Sequence, residues 1–406
     1  MHLPASYVDE LRAVGLAAGL HRVGVASAEP FASTLGDLLQ RRERGLQDDM
    51  QFTYRNPARS TDPSRTLPEV QSLVVAARAY PPPPGAGPAG SRSGAVGSTA
   101  GSRGPAVLGR VASYVVGDHY GALRDGLDAI AARLEQDGHR TRVLLDDNAL
   151  VDRAAAHRAG LGWFGKNANL LLDDIGSWVV LGSVLTDARL PPDPGPVADG
   201  CGSCTRCLEG CPTGAIVEPG VVDARRCLAW RLQARGSFPV ELRAALGDRL
   251  YGCDECQEVC PPSRRAVRVG WADAEPPAPP TTAAGLDVVA LLGLDDHDLL
   301  AEVGRWYIAD RDPDVVRRNA LLVLANTAAV PAGADVVQVL DRHLRHPSAL
   351  LRAHAVWAAR RLGCDALLVA VGSDPDPDVR RELAWSVEAR AGSSPQPAPT
   401  GGADPR

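Results

Sequence analysis

The chain has 406 residues, more than one ordinary domain holds, so two or three domains are expected, and its 45% apolar content is that of a globular protein. No apolar run reaches the roughly 18 residues of a membrane span, and the start of the chain has neither the charged segment nor the apolar core of an export signal. The expectation is a soluble cytoplasmic monomer whose net charge of −6 argues against a general nucleic-acid binder.

In chain order, Tyr7 to Ala18 reads as a helix, His21 to Ala26 as a strand and Ser72 to Ala77 as a buried strand. Residues 81–106 collapse into Pro, Gly, Ser and Ala and read as a disordered insertion. Strand patterns return at Arg110 to Val116, Arg142 to Leu145, Asn169 to Asp173 and Trp178 to Leu185. Between them lie helices over Tyr120 to Asp137 and Asp152 to Ala159, the second stopping at Gly160. Such alternation predicts an α/β domain over 1–195 with helices on the faces of a sheet, followed by a linker at Pro191 to Pro196.

A cysteine module follows over 196–268. Cys201, Cys204, Cys207 and Cys211 have the C-x2-C-x2-C-x3-C-P spacing of bacterial ferredoxins, in which the fourth thiolate serves the other cluster. Cys253, Cys256 and Cys260 repeat the pattern without its first cysteine, which Cys227 supplies. The crossover rule assigns Cys201, Cys204, Cys207 and Cys260 to one [4Fe–4S] cluster, and Cys211, Cys227, Cys253 and Cys256 to the other. Zinc has no use for the third cysteine or the closing proline, and nine cysteines in a long chain argue against disulfides. Cys364 reads as a buried small hydrophobe.

Of 43 basic residues, 42 are arginine, which leaves Lys166 as the sole lysine, a compact three-donor cation in a Gly-rich turn. After a Pro-rich linker at Pro276 to Pro280, residues 282–391 read as wholly helical. The phrases beginning at Asp312-Pro313, His346-Pro347 and Asp376-Pro377 each start a helix and carry an apolar–Arg pair, at spacings that suit HEAT-like hairpins. Residues 305–363 hold nine arginines against five aspartates, either a solvated surface or a binding stripe. Residues 392–406 read as a disordered tail.

The run from Leu145-Asp146-Asp147-Asn148 to Gly165-Lys166-Asn167 describes a strand ending in acids, then a helix, then a Gly-rich turn: a ligand-binding loop at a sheet edge. Together with Cys253-Asp254 through Cys260-Pro261, Arg59 near Asp62-Pro63, Gly117 with Tyr120, and Gly176-Ser177-Trp178, it resembles the tRNA epoxyqueuosine reductase family across nearly the whole chain. The resemblance implies a nitroreductase-like α/β domain and a ferredoxin-like module with a cobalamin between them, and HEAT-like repeats that help hold a tRNA anticodon stem-loop. It also implies reduction of the wobble epoxyqueuosine to queuosine. Electrons would come from a small donor such as a flavodoxin or ferredoxin and pass through both clusters to cobalamin.

Asp146 matches the family's proton donor, with Asp147 and Asp152 as rival carboxylates and a helix-capping role fitting Asp147 better. Arg59, Lys166, Ala229, Cys253 and Asp254, with Asp146, are expected to meet the cofactor, and Arg317, Arg318, Arg352 and Arg380 to contact tRNA phosphates or else to pair with aspartates of neighbouring repeats. The chain departs from the family at Asp147-Asn148-Ala149, Ala229-Trp230, Pro262-Ser263, His119 and Gly121. Two other readings fit the cysteines: an electron-transfer protein that docks a partner enzyme through its helices, and a cobalamin-dependent reductive dehalogenase.

Overall fold

The computed structural model of the chain describes residues 3–50, 52–80, 106–269, 285–304 and 306–384. The linker expected at 276–280, the tail over 392–406 and all but the last residue of the insertion expected over 81–106 lie outside the described residues. The chain divides into two compact units. The first draws on residues within 1–98, 111–234 and 251–285, the second on those within 99–110, 235–250 and 286–406. Residues 235–250, read from sequence as part of the cysteine module, therefore group with the helices.

The first unit is built on a four-stranded sheet. Its elements are α1 (Ala5–Ala17), β1 (Arg22–Ser27), β2 (Ser72–Ala79), α2 (His119–Gln136), β3 (Thr141–Leu145), α3 (Asp152–Arg158), the short β4 (Trp163–Phe164) and β5 (Leu170–Leu171), and β6 (Val179–Thr186). The sheet order is β1-β2-β6-β3, and every pairing is antiparallel. Strands that neighbour one another in the sheet run in opposite senses, and β2 and β3, which follow one another along the chain, run in the same sense on either side of β6. The central β2 is buried at Ser72 through Ala77, which explains its unbroken apolar run. On β1, Val23 meets α1 and α2 around Gly15, while the adjacent Gly24 lies against Ala159 at the end of α3, so the sheet is covered on both faces. The edge position of β3 leaves Asp146 where the chain departs from the sheet.

Each helix ends as its residues dictate. Asp118 caps α2 through the Gly121 N–H at 3.0 Å. Gly160, at φ 70°, follows α3 in the left-handed conformation that closes a helix. The strand expected over Arg110 to Val116 is shorter: pairing covers Leu108–Val111, and Ser113–Val115 turn into a single 3₁₀ turn. Asp254 causes the break by accepting both the Ser113 N–H (2.7 Å) and its hydroxyl (2.8 Å).

The second unit contains α4 (Val240–Leu246), α5 (Pro313–Thr327), α6 (Ala334–Leu344), α7 (Ala349–Arg361) and α8 (Pro377–Ala384). All three proline-led phrases start helices as expected. Asp312 accepts the Asp314 N–H at 3.0 Å with Pro313 in the first turn of α5, and Asp376 accepts the Asp378 N–H at 2.9 Å at the start of α8. Helix α5 is buried from Val315 through Ala325, around its whole circumference, because α4 and α7 both pack on it. Among the described residues, no helix is long and apolar enough to cross a membrane.

Candidate functional site

Asp146 is the first residue past β3 and adopts φ 49°, a left-handed conformation that aspartate tolerates better than most side chains. Asp147 does not cap α3, which has no side-chain cap. Its Oδ1 instead accepts the Ala149 N–H at 2.8 Å and shapes an Asx turn. That turn buries Ala149 and Leu150, so the departure at 147–149 preserves a compact loop. Desolvation by the surrounding protein, then the neighbouring Asp147 charge, push the Asp146 carboxyl above its ordinary value.

Asp152 and Tyr120 complete this corner. Burial first and the Asp146 charge second raise Asp152 well above the ordinary carboxyl range, and its Oδ1 is buried without a partner. Tyr120, raised by burial and by the charges of Asp146 and Asp152, is the phenol beside them. Three acidic groups with raised pKa thus share a small volume, an arrangement suited to keeping a proton available at neutral pH.

The eight clustered cysteines form two nests. Burial raises the Cys207 and Cys260 thiols, Cys260 to about 11, with Cys201 close enough to add to both shifts and Cys204 to that of Cys207. Cys256 is raised well above its ordinary value by burial and then by Cys253, Cys227 and Cys211. These are the thiols that crossover ligation would group. Cys211 Sγ accepts the Ala215 N–H at 3.2 Å, the kind of bond that stabilises cluster thiolates.

The β4–β5 hairpin joins the nests. At its turn, Lys166 Nζ donates to the Gly202 carbonyl at 2.6 Å, the Lys166 carbonyl accepts the Gly220 N–H at 2.9 Å, and Asn167 Nδ2 donates to the Cys256 carbonyl at 3.3 Å. The sole lysine therefore pins the loop of the first nest while its neighbour pins that of the second. Asp254, expected to line the cofactor, is 5% exposed and engaged by Ser113 and by Gln257 Nε2 at 3.0 Å. It anchors the Cys253–Cys256 turn to the sheet domain; each bond to its charge is worth about 1.5–3 kcal/mol. Arg59 is exposed in the Pro57–Ser60 turn and Ala229 is half-buried beside Cys227.

The departures noted in the sequence have local partners. Ser263 is fully buried, accepts the Ser177 N–H at 3.2 Å, and receives the Trp178 indole N–H on its carbonyl at 3.2 Å. A Cβ on Gly176, at φ 63°, would lie 2.3 Å from Ser263 Oγ, so only glycine permits that approach. Trp230 Nε1 donates to Asp48 at 3.0 Å, and buried His119 packs against Tyr80 with ring centres 5.3 Å apart. Gly121 leaves room for the Asp118 cap, whose carboxylate a Cβ would meet at 2.5 Å.

The expected arginine stripe is largely structural. Arg318 is fully buried and donates to the Gly236 carbonyl at 2.7 Å and to Asn319, and Arg317, 5% exposed, pairs with Asp296 and donates to the Leu294 carbonyl at 3.0 Å. Arg352 grips Asp374 at 2.7 and 3.0 Å and reaches back to the carbonyls of His346 and Pro347. Arg380 repeats that backward reach, to the carbonyls of Asp374 and Pro375, but is exposed. Arg352 and Arg380 brace the turn before their own helices, while Arg317 and Arg318 bond to more distant segments, so Arg317 and Arg352 take the aspartate pairing that the sequence offered beside the phosphate role. Cys364 is partly exposed, not buried as expected, because it follows the end of α7.

Trp163 and Tyr80 escaped the sequence reading as site residues. Trp163 lay unremarked in the Gly-Trp-Phe-Gly run, and Tyr80 sits at the border of the insertion.

An antiparallel sheet domain that packs a two-nest cysteine module beside an acid-rich corner defines an iron–sulfur oxidoreductase. Residues 200–263 match the family described as a 4Fe-4S double cluster binding domain. An epoxyqueuosine reductase of Bacillus cereus is 32% identical over 379 residues, 92% of this chain and 94% of its own. The chain belongs to the epoxyqueuosine reductase family.

Two solved structures are similar at 28% identity, each covering 93% of this chain and 97% of its own. One is a Bacillus subtilis epoxyqueuosine reductase with an aspartate catalytic loop swung out of the active site, at a TM-score of 0.79. The other, at 0.77, is an epoxyqueuosine reductase with an epoxyqueuosine-modified tRNA-Tyr stem loop.

Proposed function

We propose that the protein reduces epoxyqueuosine in tRNA to queuosine, with Asp146 as the proton donor. The balance is an epoxide plus two electrons and two protons giving an alkene and water. The observation that carries the role of Asp146 is its place: an exposed carboxyl, raised by the protein packed around it and by the Asp147 charge, on a left-handed residue at the end of the edge strand, in a family where a solved relative has an aspartate catalytic loop. A protonated carboxyl is a general acid, and the departing oxygen needs one. Asp152 and Tyr120 keep a second and third acidic proton beside it.

Cys201, Cys204, Cys207 and Cys260 would hold one [4Fe–4S] cluster, and Cys211, Cys227, Cys253 and Cys256 the other, each carrying one electron at a time from a flavodoxin or ferredoxin. The residues fit a cobalamin as well. Its amide side chains offer the N–H donor that buried Asp152 Oδ1 lacks, and Arg59, Lys166 and Ala229 are the further residues assigned to it. When bound, it would supply a reducible cobalt centre of high nucleophilicity. We read the sheet domain as nitroreductase-like and the helices as HEAT-like repeats that hold the anticodon stem-loop. Exposed Arg380 is the surviving candidate of the predicted stripe, and the setting is cytoplasmic.

The direct test is anaerobically reconstituted protein with cobalamin and a chemical reductant, acting on tRNA that bears epoxyqueuosine. Nucleoside mass spectrometry should find the wobble nucleoside lighter by one oxygen. An unchanged nucleoside with both clusters present would reject this substrate and keep the redox assignment.

A further inference from the structure

Trp163 is 8% exposed, and its ring packs against Leu171, Cys201 and Cys260, the last two from the first nest. A Cβ on Gly200 would lie 2.6 Å from Cζ2 and 2.9 Å from Cε2 of the indole. With Cη2 at 3.0 Å as the third atom, the benzo side of the ring, next to the Cε2–Nε1 bond, is the one lying against the residue that precedes Cys201. Nε1 itself is buried, and no protein oxygen or cysteine sulfur accepts its hydrogen. A buried donor left unmet costs about 1–3 kcal/mol, and buried tryptophan N–H groups ordinarily find a partner. Trp178 and Trp230 obey that rule, donating to Ser263 and Asp48 at 3.2 and 3.0 Å.

The missing acceptor is one the protein alone does not contain. We propose that Trp163 Nε1–H donates a hydrogen bond to an inorganic sulfide of the cluster held by Cys201, Cys204, Cys207 and Cys260, and holds that cluster at a higher reduction potential than its thiolates alone would set. An added electron places negative charge on the cluster sulfurs, and an N–H dipole aimed at one of them stabilises the reduced form. The arrangement is one-sided. In the second nest the indole of Trp230 is turned to the Asp48 carboxylate, while Cys211 takes its N–H from the backbone of Ala215. Trp163 is thus a positioning residue for electron flow, acting on one cluster of the pair. The inference rests on the two-cluster reading of the module and is independent of the substrate.

The test compares wild-type holoprotein with Trp163→Phe, which keeps an aromatic ring in the site and removes the donor. Iron and sulfide are assayed first, and each cluster is then titrated by electron paramagnetic resonance. The expected result is unchanged iron and sulfide, one cluster moved to lower potential and the other unmoved. In parallel, the wild-type protein labelled with 15N-indole tryptophan is reduced and examined by electron–nuclear double resonance, where a 15N coupling is expected and should vanish in W163F. Should W163F fail to assemble, labelled Trp230→Phe protein decides: a coupled indole nitrogen that persists there supports the bond, and its absence overturns it. Two clusters with unmoved potentials would also overturn it, leaving the family reading intact. Protein that binds no iron or sulfide would reject the cluster reading and this inference together.

Discussion

The cysteine-bearing unit and the helical unit treat their conspicuous polar residues in opposite ways. In the first, Asp152 lies beside Asp146 and Trp163 packs on Cys201 and Cys260, and Asp152 Oδ1 and Trp163 Nε1 are both buried and unmet by protein. In the second, Arg317, Arg318 and Arg352 look like a binding pattern in sequence but are satisfied by carboxylates and carbonyls of their own unit. Even the unmet Arg243 Nη1 and Glu382 Oε2 there belong to a buried pair already joined at 2.6 Å. The difference teaches that a repeated charge is more readily architecture than function, whereas an unmet donor packed on metal-ligating thiols, as at Trp163, points to where a ligand comes.

The sharpest way to break this contrast is Cys256→Ser. It should remove the second cluster, lower bound iron to about half and abolish turnover, as read by iron assay and product formation; full iron content would refute the nest. Asp146→Asn should lower turnover by about 10²–10⁴-fold with both clusters retained. The acid works in its protonated form, so wild-type turnover should fall as pH rises through the elevated Asp146 value, and Asp146→Asn should lose that limb of the profile. Activity equal to wild type would transfer the role to Asp152.

In the helical unit the same style of substitution should cost stability. Arg352→Ala leaves Asp374, its carboxylate 6% exposed, without its partner, a loss of about 3–5 kcal/mol read by chemical unfolding. Loss of tRNA affinity with unchanged stability would restore the phosphate reading. His343 is 2% exposed and lowered to about 4 by burial, so it is neutral when folded. The unfolded chain binds the extra proton, and stability on the order of 3 kcal/mol should therefore be lost as pH falls from 6.5 toward 4. His343→Leu should flatten that dependence, measured by hydrogen exchange in α6. The smallest effect belongs to Arg380→Ala, within about 0.5 kcal/mol of wild-type stability but reducing the salt dependence of tRNA binding by roughly one ion.

Local rules carried much of the fold. Helices α1, α2 and α3 and strands β1, β2 and β6 lie where periodicity and Gly or Pro punctuation predict them. The strand near Arg110 was overestimated because Asp254, 141 residues from Ser113, draws the backbone out of the ladder, and no local pattern contains that bond. Asp147 was misread as a cap because its turn closes before α3 begins.

By itself the sequence determined the chemistry that depends on spacing: a double-cluster cysteine module, since cluster ligation is written in residue intervals, and helices that begin at or within three residues of the three Asp-Pro or His-Pro steps. Only the tertiary structure decided which charges are available. Whether an arginine faces solvent or a buried aspartate, whether a carboxyl is raised by enclosure, and whether an indole N–H has an acceptor depend on atoms brought together from distant parts of the chain. Desolvation and hydrogen bonding act through space, and the order of residues does not record them.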